Sequence, residues 1–186
     1  MQHVIIFEGH DKAGKTTLAR YVSQQLEVPY FKDLRTKSVV KRGESGIVTK
    51  YAGIYMGDFF AQTGTSAIID RAYPSEFAYS GALRRKIDLP FLMSLDRLYS
   101  SFDTCIVICE KQNGNVPDDD MIDKKYLRHI VAWYDVFAKW TQCHVIRLVM
   151  DDENTAEQYD VFMKEYEILK KYTSPRNIVR QFVGGK

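Results

Sequence analysis

The stretch FEGHDKAGKTTLA, residues 7–19, ends a short apolar run and changes at once to glycine, lysine and threonine. Residues 9–16 match the pattern G-x-x-x-x-G-K-[ST] at every fixed position. The two glycines let the backbone wrap around a phosphate chain with its amides pointing inward, and a following helix adds the positive end of its dipole. The stretch therefore predicts a phosphate-binding loop between a strand and a helix.

Most residues of this loop have an expected part in binding a nucleoside triphosphate. Lys15 would reach the β- and γ-phosphates, and Thr16 would hold the Mg²⁺ that bridges them, so ATP and Mg²⁺ are the expected cofactors. His10 fills a variable position and is expected to be exposed and uninvolved. The predicted nucleotide-binding residues are Gly9, Asp11, Lys12, Ala13, Gly14, Lys15, Thr16 and Thr17.

The remaining pattern predicts the fold. Short apolar runs at residues 4–7, 29–31, 67–69, 104–109 and 144–149 predict five buried strands. Helical patterns lie between and after them, the clearest at residues 123–140 and 155–172. Because runs that are apolar on both faces are typical of a covered parallel sheet, we expect a three-layer α/β P-loop NTPase fold. Its mostly five-stranded parallel sheet would lie in a single domain, residues 1–186.

Composition and charge limit the classes of protein. The 186 residues are 45% hydrophobic and 27% charged, with a net charge of +2, which is typical of a soluble globular protein. No apolar run reaches the ~18 residues of a membrane span and no leader pattern is present, so a cytoplasmic protein without a membrane partner is expected. The three cysteines lack metal-ligand spacing and are expected to be reduced core thiols. The basic segment at residues 32–50 suits either a phosphorylated or polyanionic ligand or a solvated loop.

A second motif follows the third predicted strand, where residues 68–81 read IIDRAYPSEFAYSG. Together with FEGHDKAGKTT, this stretch resembles the thymidylate kinase family of P-loop nucleotide kinases, whose pattern here is D-R-Y/F-x-x-S-x-x-A-Y/F-x-G. The matching residues are Asp70, Arg71, Ser75, Ala78, Tyr79 and Gly81. The resemblance covers the first ~80 residues by motif and the rest only by the order of strands and helices.

The resemblance implies roles on the acceptor side. Arg71 is expected to bind the phosphate of an acceptor nucleoside monophosphate, and Asp70 to help organise Mg²⁺ and its water shell. Asp11 would approach the acceptor's sugar 3′-hydroxyl or its phosphate. An arginine beside the metal suits this task, because phosphoryl transfer depends mostly on positioning and charge neutralisation. Without the resemblance, the Asp70 and Arg71 pair is equally well interpreted as an ordinary ion pair.

A second arginine on the acceptor phosphate is expected just past the second strand. Arg35 is the nearest candidate, with Lys32 and Lys37 as alternatives. Ser75 and Tyr79 complete the phosphate side of the predicted substrate site.

The base pocket is expected in the helix before the third strand. Tyr55 and Phe59 are its predicted contacts, with Tyr51 and Phe60 in the same region. No arginine accompanies them, and Ser80 stands where many family members have glutamine or threonine. The resemblance still makes a thymine-like base the first expectation, while these two departures leave open an altered pyrimidine or a broader range of monophosphates.

The segment after the fourth strand, residues 110–122, departs from the family pattern. It reads EKQNGNVPDDDMI, which is short, acidic and free of the arginine that a typical lid carries. One subgroup of the family places its catalytic cation in the phosphate-binding loop, so Lys12 is expected to supply that charge. Alternatives are Lys111, Lys124, Lys125 and Arg128, and adenine contacts are expected near residues 151–155. The predicted catalytic residues are Lys15, Lys12, Asp11, Asp70 and Arg71.

The leading hypothesis is a Mg²⁺-dependent kinase that transfers a phosphoryl group from ATP to a deoxypyrimidine monophosphate. A deoxynucleoside kinase is the nearest alternative, with Glu8 as its base, although Glu8 is better interpreted as a structural carboxylate at a strand end. A kinase acting on a hydroxymethylated base in DNA is kept open but not favoured, and a non-catalytic ATP-binding module is a further alternative. The small-molecule nucleotide is thus the expected partner, and the resemblance adds a homodimer.

Overall fold

The computed structural model describes residues 3–32, 45–111, 126–150 and 154–173, without the side chains of residues 45–48 and 171–173. The strands are β1 (Val4–Gly9), β2 (Tyr30–Lys32), β3 (Ala67–Asp70), β4 (Thr104–Lys111) and β5 (His144–Met150). The helices are α1 (Lys15–Leu26), α2 (Ser45–Thr63), α3 (Tyr73–Ala82), α4 (Leu89–Ser100), α5 (Leu127–Trp140) and α6 (Thr155–Thr173). Helices α3 and α4 have no counterpart among the two clearest helical patterns of the sequence.

The sheet has the strand order β2-β3-β1-β4-β5, and every neighbouring pair is parallel. Its central strand is β1, in which Ile5 lies beside Ile68 on one side and Cys105 on the other. A strand lies on each side of β1 and helices cover both of its faces, so all six of its residues are buried. The predicted three-layer α/β fold with a five-stranded parallel sheet is confirmed.

Alternate residues of β1 enter two separate cores. Ile6 lies in the core that the sheet forms with helices α2 to α5, whereas Ile5 lies in the core that it forms with α1 and α6. This alternation follows from the period of two along a strand. The carboxyl ends of all five strands meet at one edge of such a sheet, which is where ligands bind in open α/β folds.

A buried carboxylate joins the helical layer to the turn before β5. Asp96 of α4 is 1% exposed and accepts hydrogen bonds from the Tyr73 hydroxyl at 2.7 Å, the Gln142 amide at 2.7 Å and the Thr141 hydroxyl. A buried charge that is hydrogen-bonded in this way avoids most of the cost of desolvation. Asp96 therefore stabilises the contact between α4, α3 and the end of α5.

The three cysteines are free and buried, as expected from the sequence. Burial is the largest cause that raises the pKa of Cys105, Cys109 and Cys143, in each case to about 12. A thiol in that state is protonated at neutral pH and unreactive. Among the helices that the structure describes, none combines the length and the apolar character that crossing a membrane demands.

One glycine of the second motif has a packing role. A Cβ on Gly81 of α3 would lie 2.3 to 2.5 Å from three carbon atoms of the Trp133 indole on α5. Real Cβ atoms do not approach so closely, so the absence of a side chain lets Trp133 lie flat against α3. Gly81 thus sets the distance between α3 and α5.

Replacing Gly81 should test this contact through a double-mutant cycle. We expect Gly81→Ala to lower the free energy of unfolding by about 1 to 3 kcal/mol through overpacking. In a Trp133→Leu background the same change should be neutral or stabilising, because alanine is a better helix former than glycine by about 1 kcal/mol. Urea denaturation of the four proteins measures both steps. An equal cost in both backgrounds would contradict the role assigned to Gly81.

Candidate active site

The phosphate-binding loop leaves the carboxyl end of β1 and needs both of its glycines. Gly9 has φ 134°, and a Cβ there would lie 2.1 Å from the Cys109 carbonyl oxygen of β4. Gly14 has φ 79° and is the residue immediately before α1. Glycine alone adopts such conformations without strain, and no other residue fits against β4 at position 9. The loop is thereby held against the sheet with α1 behind it.

The lysine of the loop is buried and lies back over the loop. Lys15 is 5% exposed, and its ammonium donates a hydrogen bond to the His10 carbonyl at 3.0 Å. Burial, followed by the nearby Arg71 guanidinium, lowers the pKa of Lys15 to about 8. An anionic phosphate beside this ammonium would favour its charged form, so binding of an anion would raise the pKa of Lys15.

A carboxylate at the end of β3 joins the loop to the neighbouring strands. Asp70 is 1% exposed, and its Oδ2 accepts hydrogen bonds from the Thr16 hydroxyl at 2.6 Å and from the Tyr30 hydroxyl at 2.8 Å. Burial and then Asp70 raise the pKa of Tyr30 to about 12, so its hydroxyl stays a donor. The sequence does not identify Tyr30 as a site residue, because its contact with Asp70 requires β2 to lie beside β3, and the order of the strands in the sheet is not evident from the sequence.

The oxygen atoms of Thr16 and Asp70 fit a magnesium ion. Mg²⁺ prefers hard oxygen ligands, and it is usually held by one or two carboxylates together with the substrate phosphates. Over residues 3–32, 45–111, 126–150 and 154–173, no group of three or more His, Cys, Asp or Glu side chains is arranged to hold a metal ion. The Thr16 hydroxyl and the Asp70 carboxylate present oxygen atoms of this kind at the loop.

The two sequence motifs meet at one ion pair. One terminal nitrogen of the Arg71 guanidinium donates hydrogen bonds to the Asp11 carboxylate and, at 3.0 Å, to the Tyr79 hydroxyl. The other terminal nitrogen donates to the Ser75 hydroxyl at 3.2 Å. The Tyr79 hydroxyl in turn donates to Asp11 at 3.1 Å. The structure thus brings together four residues that the sequence assigned to catalysis or substrate binding.

Electrostatics keep this cluster ionised. Burial opposes the charge on Asp11, but Arg71 and Lys15 outweigh it, so the pKa of Asp11 lies below its ordinary value. The Arg71 side chain is 16% exposed, and its guanidinium carbon lies 5.0 Å from the centre of the Tyr79 ring. The result is a largely buried cation beside the phosphate-binding loop.

A buried glutamate fixes the backbone that carries Arg71. Glu8 of β1 is 0% exposed and accepts hydrogen bonds from the Ala72 amide at 2.7 Å, the Tyr134 hydroxyl at 3.0 Å and the Ser75 hydroxyl. Arg71 itself has φ 72°, a left-handed conformation that is unusual for arginine. The bonds to Glu8 hold the next peptide in place, so they favour the strained turn that points Arg71 at the loop.

Lys12 is held in a similar conformation at the exposed side of the loop. Its φ of 61° lies in the left-handed region, where a residue other than glycine costs on the order of 1 kcal/mol or more. A glycine would adopt the same backbone freely. An exposed lysine in a strained position of a binding loop is typical of a functional residue.

His10 departs from its expected exposure. The imidazole is 3% exposed and hydrogen-bonded on both sides, so the expectation that this side chain is exposed is wrong. The cause is the path of the loop, which turns back along the end of β4 and covers this side chain. No sequence signal at a variable position of the motif indicates such burial.

The predicted base contacts lie apart from this cluster in the contacts that the structure describes. Tyr55 is 74% exposed and Phe59 is 48% exposed, both on α2. Phe59 contacts Phe60, whose ring meets Phe102 just before β4, towards the amino edge of the sheet. The structure does not bring Tyr55 and Phe59 to the ion pair, and their role in base binding stays a prediction.

Several further candidates fall outside the described residues. These are Arg35, Lys37, Lys124, Lys125 and most of the segments at 110–122 and 151–155. Lys32 lies at the end of β2 opposite Asp70, and Lys111 at the end of β4, so both reach the edge of the sheet where the loop lies. Arg128 is exposed on α5.

Comparison with solved structures defines the class of fold, although no protein-family model matches the sequence and no curated protein is similar to it. The YorR protein from Bacillus subtilis, solved in complex with phosphorylated GDP, has 17% identity and a TM-score of 0.63 over 90% of this chain and 98% of that chain. Such a likeness shows that the two chains share a fold.

Two thymidylate kinases make the assignment more particular. The enzyme from Ehrlichia chaffeensis has 20% identity and a TM-score of 0.56, covering 89% of this chain and 98% of its own. The enzyme from Candida albicans has 15% identity and a TM-score of 0.58, covering 91% of this chain and 92% of its own. The chain therefore has a thymidylate kinase-like fold, as the resemblance of its motifs implies.

The role of Glu8 leads to a prediction about stability. Glu8→Ala should lower the free energy of unfolding by about 3 kcal/mol, because it leaves buried donors without an acceptor. Glu8→Gln should cost less, since its carbonyl still accepts from Ala72 and the two hydroxyls can turn. Urea denaturation measures both, with Glu165→Ala on the exposed face of α6 as a control expected within about 0.5 kcal/mol of the parent. Equal stability of the Glu8→Ala protein and the control would contradict this role.

Proposed function

We propose that the chain is an ATP-dependent kinase that phosphorylates a deoxypyrimidine nucleoside monophosphate, dTMP or a modified analogue, to the diphosphate. The observation that carries this proposal is the ion pair between Asp11 and Arg71, which sets a buried cation beside the loop for the donor phosphates. The thymidylate kinase-like fold supports the same class of reaction.

The donor side would bind ATP through the loop and α1. Lys15 is buried with its ammonium directed along the loop, where it would neutralise the β- and γ-phosphates. Thr16 and Asp70 would hold Mg²⁺, which would supply positive charge against the donor phosphates. Tyr30 would keep Asp70 oriented, because it donates to the same carboxylate oxygen as Thr16.

The acceptor side would be organised by Arg71. Ser75 and Tyr79 hold its guanidinium plane in a fixed direction. An incoming phosphate dianion would compete with Asp11 for this cation, and a bidentate contact would place the acceptor in line with the donor. Displaced from Arg71, the Asp11 carboxylate is free to accept a hydrogen bond from the acceptor sugar.

Lys12 would supply the charge that a longer lid supplies elsewhere. Its strained backbone fixes the lysine at the exposed side of the loop, next to the ion pair of Asp11. A preorganised cation at this place stabilises charge that develops on the transferred group.

The described contacts favour a phosphate acceptor over a hydroxyl acceptor. Transfer to a hydroxyl normally needs a carboxylate base, and Glu8 is buried with its oxygens committed to three donors. Asp11 is a weak base, since its pKa lies below the ordinary value. A nucleic-acid acceptor, a homodimer and a cytoplasmic location remain proposals from the sequence.

A screen of ATP consumption tests the reaction. The panel should contain pyrimidine and purine monophosphates, nucleosides, and DNA with hydroxymethylated bases; the purines are included because the YorR structure contains phosphorylated GDP. We expect ADP to form with monophosphates, best with deoxypyrimidines. Turnover only with nucleosides, only with DNA, or with no acceptor would overturn the proposal.

Arg71 has a matched control in this chain. Arg71→Ala should lower kcat/KM for the acceptor by about 10²- to 10³-fold, because the acceptor phosphate loses its buried cation, while KM for ATP changes little. Arg84→Ala removes another arginine with positive φ, 53°, from an exposed position and should leave both constants unchanged. Steady-state kinetics distinguish the two, and a normal acceptor kcat/KM in the Arg71→Ala protein would refute the assignment.

Substitutions of Lys12 should affect the stability of the protein and its turnover differently. Lys12→Gly should relieve backbone strain and leave the free energy of unfolding unchanged or raised by up to about 1 kcal/mol, yet lower kcat by about 10²-fold. Lys12→Arg keeps the charge and should keep most of the activity. Thermal unfolding and initial rates measure the two effects, and an active Lys12→Gly protein would assign the catalytic cation to another residue.

A further inference from the structure

Residues 10–13 are the variable positions of the loop. Two of their side chains are buried, the His10 imidazole and the small Ala13 methyl group. Its Nδ1 lies 2.8 Å from the Asp11 carbonyl oxygen, and the Lys111 amide lies 3.3 Å from its Nε2. A carbonyl can only accept and an amide N–H can only donate. Only the neutral imidazole protonated at Nδ1 satisfies both partners.

These two bonds connect parts that are far apart in sequence. Asp11 belongs to the phosphate-binding loop, whereas Lys111 is the last residue of β4 and pairs with Met150 of β5. The loop backbone also approaches these two strands at its glycines: a Cβ on Gly9 would lie 2.1 Å from the Cys109 carbonyl oxygen of β4, and a Cβ on Gly14 would lie 3.3 Å from the Met150 side chain of β5. His10 therefore provides a polar link in a contact that sets the loop against β4 and β5.

The same residue holds the phosphate-binding lysine. Its carbonyl accepts a hydrogen bond from Lys15 at 3.0 Å and one from the Ala13 amide at 3.4 Å. The imidazole and this carbonyl belong to the same residue, so the bond of Nε2 with Lys111 and the bond of the carbonyl with Lys15 both depend on where His10 lies. The position of Lys15 is thereby coupled to the position of the His10 ring.

We propose that His10 is a positioning residue: as a neutral imidazole protonated at Nδ1, it ties the phosphate-binding loop to the end of β4 and so holds the loop in its nucleotide-accepting shape. The proposal rests on the proposed function only in taking a nucleotide as the ligand of the loop. His10 touches neither phosphate nor metal in this assignment, and it acts through Asp11 and Lys15.

The charges around the ring favour the neutral form. Burial lowers the pKa of His10 most, and the cations Lys15 and Arg71 lower it further, against the raising effects of the Asp11 backbone bond and carboxylate. The link is therefore intact at neutral pH and is lost as pH falls through a pKa below 6.5, since a protonated Nε2 cannot accept from Lys111.

The tautomer can be observed directly in the wild-type protein. Long-range ¹H–¹⁵N correlation NMR at pH 8, with His10→Gln to assign the resonance, should show Nδ1 protonated and Nε2 bare. The opposite tautomer, or a doubly protonated ring at that pH, would overturn the proposal. This measurement needs no catalytic activity, so its result is independent of the proposed function.

Two isosteric amides separate the two bonds. Gln at position 10 places a carbonyl oxygen near the site of Nε2 and can still accept from Lys111, whereas Asn places its NH₂ near Nδ1 and can bond only Asp11. With Mg²⁺ and ADP as the probe, we expect His10→Asn to weaken binding about three- to tenfold, the factor that corresponds to one hydrogen bond. His10→Gln should bind like the wild type.

The pH dependence provides a readout that a merely structural role would not give. Wild-type affinity for ADP should fall, relative to that of His10→Gln, as pH decreases below 6.5, and ionisation of ADP cancels because both proteins bind the same nucleotide. Equal affinities of the Asn and Gln variants, or identical pH profiles of wild type and His10→Gln, would overturn the role of His10. Failure of the wild type to bind ADP at pH 8 would instead overturn the proposed function, with the tautomer still deciding the link.

Discussion

The site depends on the hydrogen bonds that the buried Glu8 carboxylate accepts. It stands at the end of the central strand, and it accepts hydrogen bonds from Ala72, Ser75 and Tyr134, which come from the turn after β3, from α3 and from α5. Through these bonds one buried charge joins the central strand to two helices. Because the turn is fixed, Arg71 can keep a left-handed backbone and direct its guanidinium at the phosphate-binding loop.

The charged groups of the candidate site lie close together and are largely shielded from water. Asp11 acts on both Lys15 and Arg71, while Asp70 acts on Lys15 and Glu8 acts on Arg71. A neutral His10 adds structure without adding a further cation. The low exposure of these groups makes each charge count more, because burial reduces screening by water. The same burial lowers the pKa of Lys15 to about 8, and an anion beside the ammonium would raise that pKa again.

Much of the site was predictable because its signals are local. The residues from Gly9 to Thr16 form the predicted loop, and the second motif supplies Asp70 and Arg71 at the end of a buried strand. What the sequence did not predict is lateral contact. Tyr30 bonds Asp70 because β2 lies beside β3, and His10 is buried because the loop runs along β4. Neither contact can be predicted from the residues that precede or follow Tyr30 and His10 in the chain.

The sequence by itself determined the loop chemistry, the parallel sheet and the two motifs, since backbone freedom at glycine and the apolar patterning of strands act over a few residues. Only the tertiary structure decided that Asp11 pairs with Arg71, which donors bond to Glu8, and that Gly81 admits Trp133. These contacts join residues separated by tens of positions. Their formation depends on strand order and on helix packing, which arise from the free energy of burying the whole core rather than from any single segment.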